Sequence, residues 1–248
     1  MNSGIYISKK KKKIFNIGGL FWVTNSLLTS WIVIFLLIIF SILATRKIAL
    51  VPGHLQSIAE IVIEGIWNLF STILHEKINL FFPLVATYFI YIISLNWAGL
   101  LPGVGTIGLQ KIEEGHHLFV PLFRAGTAAL NTTLGLAIIA MLVIQYSGLK
   151  TLGSGYIKKF LNLGNPILFF VGILELISEF SKVISFAFRL FGNIFAGEVL
   201  LTVIAFLMPI FAPIPFMGLE LFVGFIQALV FSMLTTVFLS LATTKTEH

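Results

Sequence analysis

Charged side chains lie inside two apolar segments and could carry out ion transfer. They are Glu175, Glu179, Lys182, Arg189 and Glu198 in one segment, and Glu220 in the next. An arginine side chain keeps its charge because its pKa is above ~12, and placing one at bilayer depth costs at least ~2.5 kcal/mol. A charged residue within the membrane usually lies on a substrate or ion path. We therefore expect Arg189 to face the protein interior beside a carboxylate.

Helical spacing distributes these polar residues over two faces. At ~100° per residue, one polar stripe is formed by residues that all lie within about 40° of one direction: Glu175, Lys182, Ser185, Arg189 and Asn193. Glu198 follows Arg189 by nine residues, which places it on the opposite face and roughly 13 Å along the axis. Charges on two faces predict two separate water pathways with the arginine between them.

The last apolar segment repeats this arrangement with fewer residues. Glu220 and Gln227 are seven residues apart and share a helical face. Antiparallel packing of the two segments would bring Glu220 towards Glu198. Two carboxylates in one dry site cannot both ionise easily, so one of them would exchange protons near neutral pH.

Structural roles remain open for several of these residues. Glu175 and Lys182 fit a structural ion pair, or side chains that extend to the lipid headgroups. Asn193 and Gln227 also fit bonds between neighbouring helices, and Ser185 fits close helix packing. Arg189 is different, because the chain uses lysine 13 times and arginine three times. An arginine here suggests that the guanidinium itself is needed.

The composition places these residues in a membrane. The chain has 248 residues, of which 58% are hydrophobic and 10% are charged, whereas a soluble domain carries about 25% charged residues. Several uncharged runs reach the ~20 residues that a spanning helix needs. We predict an all-α integral membrane protein. The absence of cysteine excludes disulfides and thiolate chemistry.

Five membrane crossings and one surface helix are predicted. The crossings lie at about 27–44, 80–101, 127–147, 166–208 and 213–243, and the amphipathic surface helix at about 54–76. Residues 27–248 form one membrane domain after an N-terminal tail, 1–26, that carries a lysine run. The segment 166–208 would be roughly 60 Å long, twice the hydrocarbon thickness. It must break, at Gly192 or Gly197, or cross at a steep tilt.

The charged residues outside the apolar segments exclude further classes of protein. The net charge of +6 falls to +1 without the lysines at 9–13, so nothing indicates nucleic-acid binding. A predicted solvated loop, 102–124, holds Arg124 and the adjacent His116 and His117, which chelate poorly. We expect no metal or cofactor. If the C-terminus is cytoplasmic, seven lysines and arginines of the loops lie on the cytoplasmic side and two on the other side, as the positive-inside rule expects. The lysine run at 9–13 would then lie outside the cytoplasm, which contradicts that rule.

Five sequence segments carry a family resemblance. They are FRLFGNIFAGEVL at 188–200, IQALVF at 226–231, VPGHLQ at 51–56, FFPLVAT with SLNWAGLLPG within 81–103, and LNTTL at 130–134. These segments follow one another along the chain in the order of the family, and from about residue 25 to the C-terminus the chain resembles subunit a of the F-type ATP synthase. The resemblance implies a non-catalytic membrane stator with two long, tilted helices against a c-ring. It also implies b-type peripheral stalk partners and a bacterial plasma (inner) membrane.

The resemblance also implies residue roles. Arg189 matches the family's essential arginine, which draws the ring carboxylate into its ionised form and blocks leakage between an inlet and an outlet half-channel. Glu198 matches the inlet carboxylate with Asn193 beside it, and Gln227 faces the arginine. The polar positions of the other half-channel are matched by Glu175, Lys182 and Ser185. In this family the binding carboxylate of the c-ring determines whether the coupling ion is H⁺ or Na⁺, so this sequence does not reveal it.

This chain departs from the family pattern at two places. Ala129 in TAALNTT replaces an acid that many members carry, and the chain contains no aspartate. Glu198 and Glu220 are both glutamate where relatives pair a glutamate with a histidine, so a carboxylate pair would serve the proton route. A secondary transporter or stand-alone ion channel that binds an anion at Arg189 is the alternative, but we find no internal duplication.

Overall fold

The computed structural model describes residues 13–17, 21–46, 48–101, 103–104, 107–113, 116–153, 155–156, 160, 166–209 and 211–244. Long helices dominate this part of the chain. They are α1 (Asn25–Thr45), α2 (His54–Leu74), α3 (Ile78–Ala98), α4 (Leu130–Leu152), α5 (Pro166–Leu207) and α6 (Pro213–Thr243). Short 3₁₀ turns at His75–Lys77 and Gly126–Ala128 precede α3 and α4.

Five helical stretches are long and apolar enough to cross a membrane. They are α1, the α2–α3 stretch His54–Ala98, α4, α5 and α6. The predicted all-α membrane class is therefore confirmed, and the chain is a multi-pass membrane protein. The helix expected at 54–76 corresponds to α2 and the following turn, where His75 has a φ of 45°. Its place on the membrane surface stays a prediction.

Two short β-hairpins precede α1 and α4. Strands β1 (Lys13–Ile17) and β2 (Phe21–Thr24) pair antiparallel, as do β3 (Gly108–Glu113) and β4 (His116–Pro121). A tail and a solvated loop were expected here, and the strand pairing within them was not foreseen. Isoleucine, phenylalanine and valine in both segments favour extended backbone. Lys9–Lys12 of the lysine run lie outside the described residues.

Helices α5 and α6 pack antiparallel. Phe186 contacts the rings of Phe231 and Phe238 with centroids 5.1 and 5.8 Å apart. Further along α5, Asn193 reaches back to Gln227, so the α6 numbers fall as the α5 numbers rise. Small and aliphatic side chains of both helices are also buried in the core, among them Ala187, Leu190 and Ala228. The ring contacts and the Asn193–Gln227 bond hold the two helices in register.

Helix α5 is one unbroken helix of 42 residues. At 1.5 Å per residue it is about 63 Å long, so the predicted break at Gly192 or Gly197 is absent and the tilted alternative remains. Much of its surface is uncovered and apolar, since Phe180, Ile184 and Phe188 are 67%, 55% and 52% exposed. This face must meet lipid or another protein.

Candidate functional site

Arg189 lies on the uncovered face of α5. Its side chain is exposed, and its only described polar contact is a long one, 3.5 Å from Nη2 to the Ser185 Oγ. No carboxylate in the described part of the chain lies within ion-pair distance of it. The expectation that Arg189 faces inward beside a carboxylate is therefore wrong. The exposed surface of α5 extends from Arg189 to the apolar Phe188 and Ile184, which lie about 100° and 140° away around the helix.

One helical turn further along, Asn193 joins α5 to α6. The Asn193 Nδ2 donates to the Gln227 Oε1 at 2.6 Å, and Gln227 is only 3% exposed. The bond satisfies two amide groups between apolar helices, where an unpaired amide is costly. Asn193 thus contacts Gln227, and its expected place beside Glu198 is wrong. The two residues differ by five positions, which puts their side chains about 140° apart on a helix.

Glu198 forms an ion pair with Arg124, which lies just before the 3₁₀ turn that leads into α4. Arg124 Nε lies 2.9 Å from each Glu198 carboxylate oxygen, and Nη2 lies 2.8 Å from Oε2. The paired side chains remain 24% and 39% exposed. This two-pronged geometry fixes the position and orientation of the carboxylate. Arg124 was predicted to lie in a solvated loop, but it is a partner of the site.

Glu220 lies against α5 at Gly197, the residue before Glu198. A Cβ on Gly197 would collide with the Glu220 carboxyl group, so a side chain there would exclude it. Glu220 is 5% exposed, and within the described residues its Oε1 has no hydrogen-bond partner. Burial of an unpaired polar atom costs free energy. The antiparallel packing thus brings Glu220 beside Glu198.

One cavity connects these groups. It has a volume of about 320 Å³ and is lined by Asn96, Arg124, Glu198, Thr202 and Glu220, among others. Such a space holds several water molecules, since one water occupies about 30 Å³ of liquid. The cavity lies between the end of α3 and the facing parts of α5 and α6, and its charged and polar groups are set in a lining that is otherwise apolar.

The α3 wall of the cavity is locked by buried hydrogen bonds. Asn96 Nδ2 donates to the backbone oxygen of Gly224 at 2.8 Å, and Thr127 Oγ1 donates to Asn96 Oδ1 at 2.6 Å. Trp97 Nε1 also donates to the Leu221 oxygen at 3.1 Å. Asn96 and Thr127 are 2% and 0% exposed. The wall is rigid because both partners are buried and satisfied.

A second polar cluster lies nearer the start of α5. Lys182 Nζ donates to Glu179 Oε1 at 2.7 Å, and Gln145 Nε2 donates to Glu179 Oε2 at 2.9 Å. Tyr156 donates its hydroxyl to Gln145 Oε1 at 2.7 Å. Burial, followed by repulsion from Glu179 and Glu175, raises the pKa of Tyr156 to about 12. Its hydroxyl therefore remains a donor at any physiological pH.

Lys182 thus pairs with Glu179, and the alternative ion pair between Lys182 and Glu175 is wrong. Three residues along a helix bring side chains together, whereas seven residues separate them by about 10 Å along the axis. Lys182 also lies 4.6 Å from the centroid of the Phe238 ring on α6. That contact turns the ammonium towards α6. Ser185, one turn before Arg189, is exposed.

Several residues of the two clusters were absent from the predicted site. They are Asn96, Arg124, Thr127, Gln145, Tyr156 and Glu179. For Arg124 a signal existed, because the rarity of arginine that singled out Arg189 applies equally to it. Ala129 is buried at the N-terminus of α4 and does not line the cavity. Its backbone oxygen accepts from Thr132 and Thr133.

The fold and the site define a multi-pass membrane protein with a charged pocket and an arginine on an exposed helix face. The model of the family described as ATP synthase A chain matches residues 27–240. The chain belongs to this family, and the resemblance to subunit a of the F-type ATP synthase is confirmed. Its biological context is therefore ATP synthesis and ion transport in the membrane sector of that complex.

Named relatives are similar over most of the chain. "ATP synthase subunit a 3" of Pelobacter propionicus is 37% identical over 213 residues, which are 85% of this chain and 83% of the relative. "ATP synthase subunit a" of Geotalea daltonii gives the same identity and coverage. "ATP synthase subunit a, chloroplastic" of Oedogonium cardiacum is 38% identical over 209 residues, 84% of this chain and 78% of the relative.

Proposed function

We propose that this chain is the non-catalytic, ion-translocating stator subunit of an F-type ATP synthase in a bacterial plasma membrane. It forms two offset half-channels against the c-ring and is held by b-type peripheral stalk subunits. Ions enter one half-channel, ride the ring and leave by the other. Their flow drives the rotation that the catalytic part of the complex uses to make ATP.

The exposed, unpaired Arg189 is the observation that supports this proposal most directly. A permanent cation on an apolar helix face is expensive in lipid. In the described residues no carboxylate of the same chain compensates it. The counter-charge must then come from outside the chain, and a carboxylate on a neighbouring helix supplies it. A ring of such carboxylates passing Arg189 fits both the missing counter-charge and the exposed, largely apolar surface of α5.

The two polar clusters support separate inlet and outlet paths. The cavity with Glu198 and Glu220 lies on one side of Arg189, and the cluster of Glu179, Lys182 and Gln145 lies on the other. Nine and ten residues along α5 separate Arg189 from Glu198 and Glu179, or roughly 14 and 15 Å. Each cluster serves one half-channel, and the proton cannot pass between them without the ring.

A permanent cation between the two paths also explains why leakage is blocked. Each charge that crosses the membrane releases ~2.3 kcal/mol per 100 mV, and a direct leak would waste this energy. The Arg189 guanidinium repels a passing proton and does not release one of its own. A lysine at this place would lose its proton readily when buried. Arg189 therefore blocks direct proton flow between the half-channels and also attracts the ring carboxylate.

The chain lacks cysteine, which permits a direct test by disulfide crosslinking within the whole synthase. Gly192→Cys or Ala196→Cys, which are exposed and lie within about 60° of Arg189 around α5, should each form a crosslink with one cysteine on the lipid-facing side of a c subunit under mild oxidation. Ile139→Cys on α4 is the matched control, since Ile139 is 54% exposed but lies on another helix. No crosslink from either α5 position would contradict the proposal. Saturable solute flux through the isolated chain would favour the transporter.

A further inference from the structure

We infer that Arg124 is a fixed counter-cation of the inlet cavity, which holds Glu198 ionised and leaves Glu220 to carry the exchangeable proton. This inference rests on the proposed function, because it concerns ions that enter through this cavity. It assigns different roles to two glutamates that the sequence does not distinguish. Arg124 acts through Glu198 and Glu220 and is a positioning residue.

Arg124 is held in place by three kinds of contact. Its side chain binds both oxygens of Glu198 at 2.8 to 2.9 Å. Its backbone N–H donates to the Thr29 Oγ1 at 3.2 Å, which ties it to α1. Its guanidinium lies 5.8 Å from the centroid of the Phe195 ring. A guanidinium with this support does not swing freely between partners, so its charge stays at Glu198.

The charge balance of the cavity then sets the number of protons. Within the described residues the cavity lining contains one cation, Arg124, and two carboxyl groups, Glu198 and Glu220. The sum of their charges is zero when one of the two carboxyl groups carries a proton. Unbalanced charge in an apolar region is costly. The balanced state of this cavity therefore holds one exchangeable proton.

Geometry assigns that proton to Glu220. Both Glu198 oxygens accept hydrogen bonds from Arg124, so a proton on Glu198 would compete with that ion pair. Glu220 Oε1 is buried without a partner in the described structure. The Asn96 amide on the α3 wall is directed to other partners, since it donates to Gly224 and accepts from Thr127. Glu220 is thus the carboxyl group that is free to take and release a proton.

The other elements packed around the cavity add no further charge to its lining. Helix α3 contributes Asn96 to the lining, and the α1 residues Thr29 and Ser30, which lie next to Arg124 and Gly126, are neutral. The tyrosines of α3, Tyr88 and Tyr91, are not among the lining residues. The polar lining residue contributed by α5 beside Glu198 is Thr202, whose Oγ1 donates to the Glu198 backbone oxygen. Any change in the pH response of the cavity therefore reports on the three charged groups.

The test measures ATP synthesis by the whole synthase in liposomes at fixed membrane potential, with the pH of the inlet side varied. Arg124→Gln removes the cation but keeps a hydrogen-bond donor. Both carboxyl groups would then bind protons more tightly, and the inlet pH of half-maximal rate should rise by about one unit or more. Arg124→Lys keeps the charge and should keep the wild-type midpoint. Arg46→Gln, which alters an exposed arginine after α1, is the matched control.

Glu198→Gln should move the midpoint in the opposite direction. It leaves the Arg124 cation facing Glu220 alone, so Glu220 binds its proton more weakly and the half-maximal inlet pH falls. A merely structural role of Arg124 would lower the rate without these opposite shifts. If Arg124→Gln does not assemble, the midpoint of Glu198→Gln alone tests the inference.

The outcomes separate this inference from the proposed function. Opposite shifts in assembled complexes support the inference. An unchanged midpoint in Arg124→Gln, or in Glu198→Gln if the former does not assemble, overturns it while the wild-type synthase still couples ion flow to ATP synthesis. A wild-type complex that makes no ATP under an ion gradient overturns the proposed function itself.

Discussion

Asn193 on α5 donates its amide to the Gln227 oxygen on α6 at 2.6 Å, one turn beyond Arg189. The bond is the polar connection between the two long helices closest to the arginine. It places Arg189 on a helix whose rotation relative to α6 is fixed. Polar bonds between membrane helices are individually modest, about 0.6 kcal/mol on average. The bond nevertheless restricts rotation of α5 about its axis, because its short length requires both amides to face each other.

Gln227→Leu should therefore weaken the α5–α6 contact by about 1 kcal/mol, because it leaves the Asn193 amide unpaired. Unfolding of the purified chain in mixed detergent measures this loss. The double variant Asn193→Leu with Gln227→Leu should lose less than the sum of the two single losses. Additive losses would show that the bond does not couple the helices.

Arg189→Ala should leave assembly intact and abolish ion-driven ATP synthesis. The side chain is exposed and makes one weak polar contact, so its removal costs little packing. Its charge, however, is needed to attract the ring carboxylate. Synthesis by the reconstituted complex measures the effect, and Arg46→Ala is the control for loss of an exposed arginine. Coupled synthesis at the normal rate in Arg189→Ala would refute the assigned role.

Gly197→Ala should impair ion flow because the new Cβ occupies the position of the Glu220 carboxyl group. The carboxyl must move away from Glu198, and the cavity changes shape. Gly218→Ala, on the same helix as Glu220, is the matched control because its Cβ would meet no atom within 4 Å. Ion-driven synthesis rates of the two variants are compared. Equal rates would show that the close approach is unimportant.

Tyr156→Phe should remove a hydrogen bond to Gln145 and cost about 1 kcal/mol of unfolding free energy at neutral pH. The folded-state pKa of Tyr156 is about 12 against an ordinary value of 10.0. Between these values the unfolded chain loses the proton first, so the stabilisation from Tyr156 is complete below pH 10 and disappears as the pH rises towards 12. The difference between wild type and variant should shrink in that range.

Tyr146→Phe is the control for this pH effect, because Tyr146 is 65% exposed on α4. Detergent unfolding at pH 8, 10 and 11 compares the three proteins. A constant difference between wild type and Tyr156→Phe across this range would contradict the prediction.

The membrane class followed from composition, because uncharged runs of sufficient length have few alternatives. The closeness of Glu220 to Glu198 followed from helical spacing and antiparallel packing. Arg124 was missed because its partner is 74 residues away and lies on another element. Periodicity describes only one helix at a time. The exposure of Arg189 was missed for a related reason, since spacing along a helix does not say whether a face meets its own chain.

The unbroken length of α5 has a consequence for where the clusters lie. Glu179 and Glu198 are 19 residues apart on one continuous helix, so their backbones are about 28 Å apart along the axis. Because α5 crosses at a tilt, this axial distance spans less than the ~30 Å depth of the hydrocarbon layer, and Arg189 lies near the midpoint between the two clusters. The continuous helix therefore fixes the distance and the relative rotation of the two clusters on either side of Arg189. A single residue inserted between them would rotate one cluster by ~100° relative to the other.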